Sequence, residues 1–285
     1  MKDLDLFGKE IVKDTLLRNI FIEPPFTILD TKTSSWRNRS KKWKELGIKS
    51  ELGRDASGLN MPMNSYSKEN GSGYVSIFDP ALCEVLYSWF CVGGNKILDP
   101  FAGGSVRGIV ANKLGYEYTG IEIRKNQVIS NREQGTNILK ENKQPLWIVG
   151  DSNKILDTIN DTFDFVFSCP PYSDLEVYSD IYGDISNMVY SDFLESYESI
   201  ISKSCSLLKT GGFACFVVGE VRDKKGNYIG FVPDTINAFK KCGMSFYNEA
   251  ILLTGMGSAS MRANKSMKNQ KLVKIHQNVL VFKKQ

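Results

Sequence analysis

The sequence predicts an α/β protein built on a doubly wound, mainly parallel sheet. Three observations carry this: from residue 76 onward short apolar strand patterns alternate with helical patterns, glycines follow several of the helices, and three successive strands each end in an acid. NKILDP (95–100) reads as a strand and GSVRGIVANKLG (104–115) as a helix stopped by glycine. YEYTGIEI is the next strand, RKNQVISNREQGTNILKEN a long helix, PLWIVGD a third strand and DTFDFVFSCPP a fourth. DFLESYESIISKSCSLLKTGG is an amphipathic helix with a glycine stop, FACFVVGEV a fifth strand, and FVPDTINAFKKCG a helix with Pro233 in an early turn. FYNEAILLTGM and QNVLVFKK are the last two strands, with no helix pattern between them. They read as a hairpin-like ending joined by a long basic loop.

Residues 1–75 have a different character and read as an extension, a wrap or lid on the main domain of residues 76–285. PPFTILDTKT looks extended. SSWRNRSKKWKEL predicts a short helix capped by Ser35, with Trp36 and Trp43 on one face, and GLNMPMNSYSKENGSG reads as a loop.

With 285 residues, 42% of them hydrophobic, the chain can bury a sizeable core, and it has no apolar run of membrane-spanning length and no secretion-type N-terminus. Six cysteines form no CxxC pair and His276 is the one histidine, so no metal site is expected; buried thiols in a reducing cytoplasm are. The net charge of +4 is unevenly spread. Basic residues gather in 37–54, including Arg37, Arg39, Lys41 and Lys42. They gather again in the acid-free stretch 255–285, with Arg262, Lys265, Lys268, Lys271 and Lys274. Two such segments suit a polyanion, or else are solvated surface.

Two short stretches carry chemistry. In ILDPFAGGS a strand ends in Asp99 and turns through glycine into a helix. Neither phosphate-loop spacing is present, and a carboxylate here suits a cationic group. Glu122 closes the second strand, placed to accept from ribose hydroxyls, and Asp151 closes the third, placed to accept an adenine amine. Together the three acids describe a pocket for a positively charged adenosyl nucleoside. In FSCPPYSD two prolines fix the backbone at the end of the fourth strand, leaving carbonyls of Cys169 or Pro170 to accept from an amino group. Tyr172 offers a ring for a flat base to stack on.

DPFAGGS (99–105) resembles the DPFxGxG cofactor motif of amino-group DNA methyltransferases, and SCPPY (168–172) resembles their D/N/S-PP-Y/F/W catalytic motif. The chain as a whole resembles phage- and prophage-encoded DNA methylases of restriction-modification type, from about Pro24 to Lys284. The resemblance implies a Rossmann-like, seven-stranded sheet with one reversed strand. It also implies S-adenosylmethionine as cofactor, DNA as partner, and methyl transfer to adenine N6 or cytosine N4. On this reading Asp99, Pro100, Phe101, Ala102, Gly103, Ser105, Glu122 and Asp151 bind the cofactor, and Ser168, Cys169, Pro170, Pro171 and Tyr172 form the catalytic set. Arg37, Arg39, Lys41, Lys42, Arg262, Lys265, Lys268, Lys271, Lys274 and His276 contact DNA. The segments Asp174–Tyr190 and Arg222–Tyr228 join them in recognition. Cys169 departs from the motif, where Asp, Asn or Ser is usual. Either Ser168 reaches round or backbone carbonyls do the positioning, and cytosine C5 methylation through a Cys169 thiolate is an alternative. An RNA or protein methyltransferase of the same fold, and a non-catalytic DNA-binding partner, are the others.

Overall fold

The computed structural model describes residues 14–49, 78–172, 181, 183–255 and 259–285. The stretch 58–73, Arg54 and part of the 174–190 segment lie outside the described residues.

Among the described residues one sheet of eight strands is formed: β1 (Ile28–Asp30), β2 (Lys96–Asp99), β3 (Glu117–Glu122), β4 (Leu146–Val149), β5 (Phe163–Ser168), β6 (Leu208–Val218), β7 (Met244–Leu253) and β8 (His276–Lys284). The order across it is β1-β7-β8-β6-β5-β2-β3-β4, and only β8 runs against its neighbours. The reversed strand is as expected. The count is eight rather than seven because the extended PPFTILDTKT segment pairs parallel to β7, Ile28 opposite Ile251 and Asp30 opposite Leu253.

The helices are α1 (Asp14–Phe21), α2 (Ser34–Glu45), α3 (Pro80–Phe90), α4 (Val106–Lys113), α5 (Lys125–Leu139), α6 (Ser152–Ile155), α7 (Tyr190–Leu207), α8 (Phe231–Lys241) and α9 (Ala259–Met267). None among the described residues is long and apolar enough to cross a membrane. Three details correct the sequence reading. The cap of α2 is Thr33, whose hydroxyl accepts from Trp36 N, rather than Ser35. α7 runs straight into β6, so Gly211 and Gly212 sit inside the strand instead of stopping the helix. A helix, α9, interrupts the β7–β8 connection. It is short and polar, with only Ala259 buried, so in sequence it looks like part of a basic loop.

Alternating side chains of the central strands feed two cores, as a sheet covered on both faces requires. Ile97, Phe165, Phe167, Cys215 and Val217 face one, with Trp36, Trp43, Tyr87 and Trp147. Leu98, Val166, Ala214, Phe216 and Val218 face the other, with Phe193, Tyr197, Phe239 and Phe282. Trp36 and Trp43 share a face of α2, as their spacing predicts, and dock it on α3: Trp36 Nε1 donates to Asp79 Oδ2 and Trp43 Nε1 to Glu84 Oε2, both at 2.6 Å.

Candidate active site

From β2 the chain winds outward through β3 to β4. It then returns to β5 on the other side of β2 and continues to β6. The β2/β5 boundary is therefore the topological switch point, where a crevice opens beyond the carboxyl ends of the strands. A cleft of about 410 Å³ lies there, a volume suited to a small organic ligand.

One half of the cleft is walled by Pro100, Phe101, Gly103 and Gly104 after β2, Glu122 and Arg124 after β3, and Gly150, Asp151 and Ser152 after β4. Gly103 has φ +53, a left-handed conformation at which no side chain is present to fill the cleft. Glu122 Oε1 accepts from Arg124 N and Nε at 3.0 and 2.8 Å. Its other oxygen has no hydrogen bond among the described residues. Asp151 caps α6 through Oδ1, accepting from Asn153 N at 2.9 Å, and its Oδ2 faces Gly183 across the cleft.

The other half is walled by Cys169, Pro170, Pro171 and Tyr172 after β5, Arg107 from α4, and Thr31, Thr254 and Gln277 from the β1, β7 and β8 ends. Gln277 Nε2 donates to the Tyr172 hydroxyl at 3.3 Å, and the Tyr172 ring meets Phe231 edge-on at 5.7 Å.

Four of the expected site residues stand behind these walls. Asp99 is fully buried, and its carboxylate accepts from Arg107 Nε at 2.5 Å, the Tyr118 hydroxyl at 2.7 Å, the Ser168 hydroxyl at 2.6 Å and Phe101 N at 3.1 Å. It thus holds the turn rather than offering a negative surface to a ligand. Ser168 spends its hydroxyl on Asp99, so it does not reach round into the cleft. Ala102 is buried, and Ser105 Oγ turns away to bond Gln134.

Arg107 is the residue that sequence reasoning missed. Besides Asp99 it binds the carbonyls of Phe101 and Ala102 at 2.6 and 2.9 Å and lies over the Phe78 ring at 4.8 Å. Burial would favour losing its proton, but Asp99 holds it firmly charged, above its ordinary range. The Tyr118 hydroxyl is pushed up by burial and by the Asp99 charge. With Arg107 against Asp99 and Arg124 against Glu122, the cleft mouth is far less negative than three strand-end acids suggested.

The expected DNA contacts divide as well. Arg37, Lys41 and Lys42 are exposed on α2, while Arg39 is drawn in against Glu84 at 2.8 Å. Arg262, Lys265 and Lys268 are exposed on or beside α9; Lys271, Lys274 and His276 are half-buried. Glu220 Oε1 accepts from Gly230 N and Phe231 N at 3.0 and 2.9 Å, capping α8. Among the described residues no cluster of three or more His, Cys, Asp or Glu could hold a metal.

No family model matches the chain, and no curated protein does. Among solved structures it is similar to TrmN from Thermus thermophilus, at 13% identity and TM-score 0.49 over 73% of this chain and 49% of that one. It therefore spans about half the length of that protein. It is similar also to precorrin-6y C5,15-methyltransferase from Geobacter metallireducens GS-15, at 12% identity and TM-score 0.49 over 82% and 97% of the two chains. Magnesium protoporphyrin IX methyltransferase from Synechocystis PCC 6803 matches at 13% identity and TM-score 0.47 over 77% and 89%.

Proposed function

We propose that this chain transfers a methyl group from S-adenosylmethionine to the exocyclic amino group of adenine or cytosine in DNA. The observation carrying the reading is a single cleft at the switch point that brings the DPFAGG turn and the Pro170-Pro171-Tyr172 turn face to face. The bound cofactor supplies an electrophilic sulfonium methyl.

The residues present fit that cofactor. The open Glu122 oxygen suits ribose hydroxyls, and Asp151 Oδ2 suits an adenine amine. Arg107 on the wall suits the carboxylate of the amino-acid end, which Asp99 could not face. Asp99, Ala102 and Ser105 then act from behind, by shaping the turn.

An aromatic amino nitrogen is a poor nucleophile. The carbonyls of Cys169 and Pro170 would accept its hydrogens and turn its lone pair toward the methyl group, with the base held against Tyr172. Ser168 and Pro171 would fix that turn, and catalysis would be positioning above all. The target atom is hidden in a duplex, so the base is flipped in. Arg37, Lys41, Lys42, Arg262, Lys265, Lys268, Lys271, Lys274 and His276 would hold phosphates, while Arg39 supports α2.

A second reading is cytosine C5 transfer. Cys169 lines the cleft, where its sulfur would be the nucleophile of that reaction.

The test is incubation of the purified chain with isotope-labelled cofactor and either DNA or RNA, followed by mass spectrometry of the nucleosides. Labelled N6-methyladenine or N4-methylcytosine from DNA is expected. Labelled 5-methylcytosine would select the second reading, and label in RNA alone would overturn the choice of DNA.

A further inference from the structure

Two segments far apart in sequence build one cationic surface beside the cleft. Residues 222–228 form a tight hairpin: Arg222 pairs with Tyr228, Ile229 N donates to Val221 O at 3.0 Å, and Asp223 N to Asn227 O at 2.8 Å. Arg222 lies over the Tyr228 ring at 3.9 Å and bonds Gly226 O at 2.7 Å, so the stem is held by its own side chains. Lys224 and Lys225 stand exposed at the tip.

Lys271, just past α9, seats its ammonium directly on Gly226, where even a methyl group would collide with it. This contact brings the hairpin against the turn that follows α9, where Lys271 N donates to Ser266 O at 3.1 Å. Across 222–228 and 259–271 there are seven cations and one acid, Asp223. That acid turns back into its own loop, where Asn227 N at 2.8 Å holds its carboxyl below the usual range. None of the seven has a carboxylate ion-pair partner among the described residues. The surface is tied to the catalytic turn: the hairpin stem follows Gly219 and Glu220, and Gly219 packs against the Tyr172 hydroxyl.

We infer that the 222–228 hairpin and α9, brought together where Lys271 meets Gly226, form one clamp for the phosphate backbone of duplex DNA beside the base pocket. Its choice of partner rests on the function proposed above. Like charges held this close repel one another unless a polyanion lies across them, and a prefolded hairpin binds such a backbone without ordering cost.

The test is fluorescence anisotropy of a labelled duplex over a salt series, comparing the wild-type chain with Lys224→Glu/Lys225→Glu, whose tip positions are solvent-exposed, and with Lys271→Met. The double variant should bind roughly tenfold more weakly, with the salt slope reduced by about two, and Lys271→Met should reduce the slope by about one. Unchanged slopes in both, no duplex binding by the wild type, or tighter binding to phosphatidylserine vesicles than to the duplex would each overturn the clamp. Loss of binding in the double variant without any methyl transfer by the wild type would leave the clamp standing and sink the proposed reaction.

Discussion

The Ser168 hydroxyl donates to Asp99 at 2.6 Å, tying the last residue of β5 to the last residue of β2 across the switch point. The two turns that would hold cofactor and base are therefore set by one buried carboxylate.

Removing that tie should loosen the catalytic turn more than the cofactor half. Ser168→Ala is expected to lower kcat between about ten- and a hundred-fold, with cofactor affinity nearly unchanged. Single-turnover transfer and cofactor titration by calorimetry check this. An equal loss in both would place Ser168 on the cofactor side instead.

Arg107 and Asp99 are both buried, with side-chain exposures of 6% and 0%. Arg107→Met leaves Asp99 charged in the core and should destabilise the fold by roughly 3–5 kcal/mol. Adding Asp99→Asn should recover part of that loss, because the stranded charge is gone. Urea unfolding of the single and double variants measures it, and additive losses would contradict the coupling.

His276 is the chain's one histidine, so its titration can be followed alone by proton NMR. Burial first, and Lys274 second, hold its pKa below 6.5. The unfolded imidazole thus takes up its proton at higher pH than the folded one. Stability contributed by the neutral ring is full above 6.5 and declines as pH falls through the window below it. Lys274→Met should move the pKa back toward 6.5. A pKa at or above that value in the wild type would contradict this environment.

Glu220 caps α8 from outside the helix by accepting from Gly230 N and Phe231 N. Glu220→Ala should cost about 1–2 kcal/mol, read as a lower urea midpoint. Phe231, which braces the Tyr172 ring, opens that helix, so under the proposed reaction the KM for DNA should rise with it. A lower midpoint with unchanged KM would mean that α8 does not position the ring.

Much of this architecture is legible in the residues. Strand–helix alternation gives β2 to β8 in order, because each strand is an apolar run and each long helix carries its own stripe. The two motif turns fall on the cleft where strand ends place them. What stays hidden depends on partners far away in sequence. Asp99 looks like a cleft acid until Arg107, Tyr118 and Ser168 surround it. Arg107 itself, a cation within a helix, reads as surface. Ile28–Asp30 is too short to claim a place in a sheet without β7 beside it. The helix of residues 259–267 goes unseen because it is short, polar and almost none of it is buried.

The first strand of the sheet has a consequence for how the chain is made. Ile28–Asp30 has a single neighbour, β7, and the Thr31 hydroxyl closes on a carbonyl 222 residues downstream. At a synthesis rate of about 5–20 residues per second, this segment leaves the ribosome on the order of ten seconds or more before its partner exists. This segment, made long before β7, is thus among the last to dock. Until then the unfinished cleft lacks the wall that Thr31 provides, so a chain stalled before β7 would have assembled the turn after β2 but not the completed cleft.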